Sequence, residues 1–410
     1  MELLAGADAA ADTEPSAIVS LFWIALVAVA APLLARALRG FVPDVVILLV
    51  AGMALGPHAL GWANADGGVD LIEELGLGML FLLAGYELDP ALLRGRSGRV
   101  ASAVWLAGLV FAFALVTLVG PGESITGHVA VAIAMTSTAL GTLLPIVKQA
   151  GLLDTPLGRA VLAHGAVGEL GPIVAMSVLL SSRDVGAAVI VLVLFVVAAL
   201  LVGLVPLRLF GRVPDLGAAL ARMDGGTSQL PVRGAILLLL VLMVVAERFD
   251  LDVVLGAFAA GMVLRRLIAA GHPRVDEQLE TIGYGLLIPV FFVVSGMGID
   301  PAAVAAEPVL WVSFVLAIAV ARGLPVWLSE RFVQHGQNLA APRERAQLAL
   351  YAATGLPIIV AVTQVAVSTG LMSGATASVL VAAGAATVLV FPLCARLLGG
   401  PRGERAGSAG

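Results

Sequence analysis

Nearly all of the 28 acidic residues of this 410-residue chain fall between apolar runs or within a turn or two of a run's end. Glu169 does not. It stands in "AVLAHGAVGELGPIVAMSVLL" (160–180), about 11 residues from the nearer basic end, or ~16 Å at 1.5 Å per residue. One base matches it. Arg322, in "AIAVARGLPVWL", lies about 8 residues, or ~12 Å, from the basic end of its own run. A charge at the centre of an apolar helix costs about 2.5–3.5 kcal/mol on the lenient scale, so two of them indicate a use.

A carboxylate withdrawn from water holds either a proton or a monovalent cation, not both. If access to it alternates between the two sides of a barrier, that competition suffices to exchange one for the other. The similar depths allow a Glu169–Arg322 ion pair. A static link between two helices is the other reading of that pair, although apolar residues replace buried ion pairs with little loss of stability. Thr136, Ser137 and Thr138 in "AMTSTALGTLLP" offer hydroxyls and freed carbonyls for an oxygen cage around a cation at Glu169. His164, five residues before Glu169, is about 140° away around a helix, so it lines an approach or packs. Ser295 and Gln364 are further polar groups within apolar runs.

Membrane-spanning helices must position these residues. Sixty per cent of the chain is hydrophobic, 12% is charged and the mean hydropathy is +1.05, which leaves too little charge for a soluble surface of this size. Runs of about 20 apolar residues, each able to cross a ~30 Å hydrocarbon core, recur throughout. Thirteen spans are predicted: 17–36, 41–60, 70–88, 99–119, 125–149, 157–180, 185–206, 233–248, 251–268, 279–298, 306–329, 346–369 and 373–397. With the N-terminus outside and the C-terminus in the cytoplasm, 20 of the 23 Lys and Arg fall in cytoplasmic loops, as the positive-inside rule requires. Arg183 and Arg248 lie outside beside acids, and Arg322 is left within a span.

These spans divide the chain into an outer segment (1–16), a first half with its linker helix (17–206), a basic cytoplasmic linker (207–232), a second half (233–398) and a short tail (399–410). The first segment lacks a basic n-region and is not read as a signal peptide. The lone Cys394 excludes a disulfide framework and a Cys-rich metal site. The small net charge of -5 gives no sign of a nucleic-acid partner, and no cofactor motif is present.

The halves echo each other. "VPDVVILLVAGMALG" (42–56) pairs with "LDVVLGAFAAGMVLR" (251–265), and "LGLGMLFLLAGYELDP" (75–90) with "IGYGLLIPVFFVVSGMGIDP" (282–301). "TSTALGTLLPIV" (136–147) pairs more loosely with "AATGLPIIVAV" (352–362). The offset is seven spans, an odd number, so the second copy is inverted. Inverted repeats characterise alternating-access transporters with a midplane site. The paired interruptions at Thr138 and Gly141 and at Thr354 and Gly355 free backbone groups, which survive at membrane depth only beside protein or a water-filled cavity. A sodium-coupled symporter of an organic anion, a cation channel and an intramembrane enzyme remain as rivals. No H-E-x-x-H, G-x-S-x-G or P-loop supports the last.

The motifs "VPDVVILLVAGMALGP", "LGLGMLFLLAGYELDP", "MTSTALGTLLPIVKQAGLL", "LGAFAAGMVL" and "PVFFVVSGMGIDP" together resemble the sodium/hydrogen exchanger superfamily. The resemblance covers about 20–398 and is closest to the bacterial cation:proton antiporters, the branch of the glutathione-gated potassium efflux systems, without their nucleotide-binding tail. It implies an all-α polytopic protein of the bacterial plasma membrane, two inverted repeats with crossed interrupted helices, and a homodimer. It also implies exchange of Na⁺ or K⁺ for H⁺, with Glu169 as the ion-binding acid and Arg322 as the basic residue beside the second crossing helix. Where many members carry Asp-Asp or Gln-Asp, this chain has Gly168-Glu169. A single carboxylate points to electroneutral one-for-one exchange.

Overall fold

A computed structural model describes residues 15–39, 41–119, 124–181, 183–212, 229–267, 273–333, 339 and 341–399. In chain order the first helices are α1 (Ala17–Ala37), α2 (Asp44–Leu55), α3 (Val69–Glu87), α4 (Gly95–Val119), α5 (Ile125–Met135), α6 (Leu140–Gln149), α7 (Pro156–Leu179) and α8 (Val185–Arg212). They are followed by α9 (Leu230–Arg248), α10 (Val253–Leu267), α11 (Pro273–Ile282), α12 (Ile288–Met297), α13 (Pro301–Ala306), α14 (Pro308–Ile318), α15 (Leu324–Phe332), α16 (Pro342–Ala352), α17 (Pro357–Ser368) and α18 (Gly374–Gly399). Short π-helical segments, Gly283–Leu287 and Ala319–Gly323, join α11 to α12 and α14 to α15. Regular structure among the described residues is entirely helical.

Polar punctuation starts several spans. Side chains of Ser16, Ser124 and Thr155 accept from the N–H groups of Val19, Gly127 and Gly158, satisfying donors that a helix start leaves free. Ten helical stretches are long and apolar enough to cross a membrane among the described residues, and each coincides with a predicted span. The count of thirteen is not reached on that criterion. The predicted spans at 41–60, 70–88 and 251–268 are helices too, but α2 has 12 residues, α10 has 15, and the 19-residue α3 carries Asp70, Glu73, Glu74 and Glu87. Of the predicted linker, 207–212 continues α8 and α9 begins at Leu230, while 213–228 lie outside the described residues, as do 1–14 and 400–410.

The helices pack as two groups, each drawing on both halves of the sequence. In one, α3 lies along α10 and α2 along α12, with α1 and α9 beside them. In the other, α4 packs on α5 and α7, α16 and α14 on α18, and α17 on α5. Helix α8 touches α7 in one group and α10 in the other.

The motif glycines explain the first group. A Cβ on Gly52 of α2 would stand 2.0 Å from the Val293 carbonyl oxygen, and one on Gly296 of α12 would stand 2.2 Å from that of Leu49. The same crossing recurs between α3 and α10, where a Cβ on Gly85 would lie 2.1 Å from the Phe258 oxygen and one on Gly261 2.0 Å from that of Leu82. The echoed "AGM", "AGY" and "SGM" segments are therefore contact points where backbones touch, the close approach that small residues permit between membrane helices. Gly261→Val is expected to force α3 and α10 apart and to lower the thermal unfolding midpoint in detergent markedly. The same change at Gly234, where a Cβ meets no atom, should leave the midpoint nearly unchanged.

Candidate functional site

Two helix interruptions meet in the middle of the second group. Between α5 and α6 the chain leaves the helix from Thr136 to Ala139, and between α16 and α17 from Ala353 to Leu356. The exposed backbone groups are satisfied mutually. Ala139 N–H donates to the Thr354 carbonyl at 2.8 Å, Thr138 N–H to the Gly168 carbonyl at 2.8 Å, and the Thr138 hydroxyl to the Ala352 carbonyl at 2.5 Å. The indole N–H of Trp105 donates to the Thr136 carbonyl at 3.2 Å. Gly355 is required here, since a Cβ would lie 2.7 Å from the Ser137 carbonyl oxygen. Neither α6 nor α17 has a side-chain cap, so the partial positive charge of each N-terminus stays at the crossing.

The hydroxyls expected to form a cage do other work. Thr136 and Ser137 donate back to carbonyls at the end of α5, at 2.9 Å (Ala132) and 2.8 Å (Ala134). Thr138 is committed to Ala352 and receives the Nε–H of Arg322 at 3.1 Å. Gly141 belongs to the first turn of α6 and not to the interruption itself. Thr354 also donates to its own helix, to the Leu350 carbonyl at 3.0 Å.

Arg322 sits in the π-helical turn, 1% exposed. It does not ion-pair with Glu169. Its guanidinium donates to the Thr138 hydroxyl and, through an Nη, to the His164 carbonyl at 2.7 Å. The expected charge pair is replaced by an arginine that fastens the first interruption to α7. Gly168 makes room for it, because a Cβ there would be 2.3 Å from the Thr138 hydroxyl oxygen and 2.5 Å from an Arg322 nitrogen. The missing polar residue before Glu169 thus has a steric cause. His164 is buried behind this junction, with its Nε2 4.0 Å from a carboxylate oxygen of Glu330, and does not line the cavity described next.

Glu169 points the other way, into a cavity of about 270 Å³. It is 6% exposed and its Oε2 has no hydrogen-bond partner. Ala139, Gly141, Thr142 and Pro357 from the two crossing helices line the cavity, facing Asp44, Glu87 and Tyr284 from the first group. Among the described residues its lining holds three carboxylates and no lysine or arginine. Glu87 ends α3 and Asp44 begins α2, so the cavity lies toward the arginine-rich helix ends. The Glu87 Oε2 and the Tyr284 hydroxyl would each lie 4.0 Å from a Cβ on Gly141.

Glu87 and Asp44 are among the acids within a turn or two of a run's end, and Tyr284 carries no signal in the sequence. Ser295 and Gln364 are not at this site. Both bond Glu73 near the opposite end of α3, the Ser295 hydroxyl at 3.2 Å and the Gln364 amide at 2.7 Å.

The family model described as the transmembrane sodium/hydrogen exchanger matches residues 24–398, almost the whole helical region. The chain belongs to the sodium/hydrogen exchanger family. Among relatives of this exchanger-family chain, the putative Na⁺/H⁺ antiporter YjbQ of Bacillus subtilis is 26% identical over 76% of this chain and 53% of its own length. A Na⁺/H⁺ antiporter of Enterococcus hirae is 24% identical over 68% of this chain and 72% of its own. The chain thus spans about half the length of the first of these relatives. The exchanger fold itself is seen in the solved structure of the sodium proton antiporter MjNhaP1 from Methanocaldococcus jannaschii at pH 8. It superposes with a TM-score of 0.64 at 18% identity, covering 94% of this chain and 99% of that one.

Proposed function

We propose that this chain exchanges a monovalent cation for protons across the membrane by alternating access, with Glu169 as the shared site. The observation that carries the reading is the unpartnered Glu169 Oε2 in a cavity lined by acids, with no basic side chain among the described lining residues. Such a cavity concentrates cations, and the one buried carboxylate at the crossing gives up its proton as it takes one up. With Arg322 committed elsewhere, one carboxylate exchanges one H⁺ for one cation, and the cycle is electroneutral. Thr142 and Tyr284 hydroxyls line the same cavity, as do the Asp44 and Glu87 carboxylates, and supply further oxygens for the cation, with Thr136, Ser137 and Thr138 acting through the geometry of the interruption.

Membership of the family and the names of relatives support Na⁺ as substrate, and one Bacillus cereus relative named a Na⁺/H⁺-K⁺ antiporter supports K⁺ as well. The arginine-rich loops support placement with the N-terminus outside, which makes the Glu169 cavity open toward the cytoplasm. Exposed apolar side chains along α1 and α8, Phe22, Leu26, Ile190 and Leu194 among them, suit lipid or a second copy of the chain in a homodimer.

The test is a reconstituted vesicle carrying a pH dye, with an imposed pH gradient and Na⁺ or K⁺ added outside. Cation-evoked proton movement that is unchanged when valinomycin and K⁺ clamp the voltage, in the Na⁺ case, is the expected result. If neither cation moves protons, the exchanger reading fails.

A further inference from the structure

Helix α3 carries a second acid beside a second cavity. Glu73 lies 14 residues before Glu87, about 21 Å along the helix. It lines a cavity of about 400 Å³ with Ser295, Gln364, Thr363, Ser368 and His58, and that lining includes no lysine or arginine among the described residues. Glu73 Oε1 accepts from the Gln364 amide at 2.7 Å and from the Ser295 hydroxyl at 3.2 Å, while Gln364 and Ser295 stand 3.4 Å apart. Both donors are neutral, so the carboxylate's charge is solvated without being cancelled. The other ionisable groups nearby are Asp70 and Glu74 on the same helix and His58 across the cavity.

The three groups come from different elements. Glu73 is on α3 and Ser295 on α12, in one packing group, whereas Gln364 is on α17, in the other. Helix α17 also connects the two cavities. Pro357 at its start lines the Glu169 cavity, and Gln364, seven residues or about 10 Å farther along, closes on Glu73. A primary amide offers a carbonyl oxygen as readily as an N–H₂ by turning over, and a hydroxyl has lone pairs to spare. Turned toward a cation, Gln364, Ser295 and Glu73 become three oxygen ligands of mixed charge, the hard set that suits an alkali cation and leaves a site of low enough affinity to be vacated.

We infer that Glu73, with the Ser295 hydroxyl and the Gln364 amide, is a second monovalent-cation site on the side of the barrier opposite the Glu169 cavity, closed in this conformation by the Gln364 bond. It receives the cation as the two helix groups shift and Glu169 comes to face that side. The inference rests on the exchange reading above.

The test uses membrane vesicles of each sidedness, assaying Na⁺-evoked proton flux against Na⁺ added at one face at a time. Glu73→Gln keeps an acceptor for both hydrogen bonds and removes the charge. Its apparent KM for Na⁺ is expected to rise roughly ten-fold at the opposite face, the scale of charge focusing in a like-charged cleft. At the arginine-rich face it should change by less than about two-fold, and Glu73→Asp should restore much of the loss. A Glu73→Gln variant with wild-type KM at both faces, or with an equal rise at both, overturns the inference. Absence of flux in the wild type instead removes the exchange reading itself. If Glu73→Gln does not fold, Ser368→Cys in a Cys394→Ala background reports directly, one turn beyond Gln364. Labelling by a membrane-impermeant maleimide from the opposite face is slowed by Na⁺ and not by choline if the site exists; equal labelling in both overturns it.

Discussion

Glu169→Gln is expected to abolish cation-evoked proton movement while the protein still folds. The glutamine matches the glutamate in size, so packing along α7 is kept, and at 6% exposure the side chain has little contact with water to lose. On the proposed exchange, what it loses is the site that would hold H⁺ and a cation alternately. A fall of at least roughly 100-fold in the rate of exchange corresponds to about 2.7 kcal/mol, well within the free energy a single essential charge contributes. The assay is the dye-loaded vesicle. Glu169→Asp should retain exchange with a raised KM, because the charge remains but its carboxylate is withdrawn from the cavity by one methylene. Exchange at the wild-type rate in Glu169→Gln would move the site elsewhere, with Glu87 the next carboxylate to examine.

Arg322→Met is expected to damage stability as well as transport. The arginine has two good hydrogen bonds in the structure, to the Thr138 hydroxyl and the His164 carbonyl, and it is 1% exposed. A hydrogen bond involving a charged group contributes about 1.5–3 kcal/mol, and its loss leaves the partner unsatisfied, so a combined cost of about 3–6 kcal/mol is expected for the two. Thermal unfolding in detergent measures it. Arg322→Lys should fall between the two, since a compact ammonium keeps the charge but does not bridge two acceptors as a planar guanidinium does. If Arg322 served only to neutralise Glu169, the stability lost in Arg322→Met would be recovered on adding Glu169→Gln, which removes the uncompensated buried charge; with the hydrogen bonds as the cause, the loss persists in the double variant. The contacts at Thr138 and His164 argue for the structural loss.

The depth of a residue in the membrane was legible from its position in an apolar run, and so Glu169 and Arg322 stood out. Direction around the helix was not. Two charges at similar depth invite a pair, yet Arg322 turns toward Thr138 and the His164 carbonyl while Glu169 turns toward the cavity. The π-helical turns are one cause. Ala319–Gly323 and Gly283–Leu287 each depart from the 3.6-residue period on which facing is reckoned, and they place Arg322 and Tyr284. The residue types at Thr136 and Ser137 suggest free ligands, but a helix that stops at membrane depth needs its last carbonyls capped, and the nearest hydroxyls do so. Glu87 lies within a turn of a run's end, where an acid carries no signal of its own. The interruption opens a cavity that reaches it, which no count along α3 reveals. The glycine echoes, by contrast, were readable as repeats, and their contacts follow because nothing larger fits where backbones touch.

The space beside Glu169 has a consequence for how the family's sequences vary. One volume, bounded by the Thr138 hydroxyl and the Arg322 guanidinium, is all that a side chain at position 168 would have. Glycine at 168 and arginine at 322 are therefore two halves of a single choice. A relative with an acid or amide at the first position has to draw back the second or open the crossing, so the two positions should covary although they are 154 residues apart. In such a relative the intruding carboxylate would take the arginine as its counter-ion, and the electrical balance of a transport cycle would be set by a pair of residues trading one pocket.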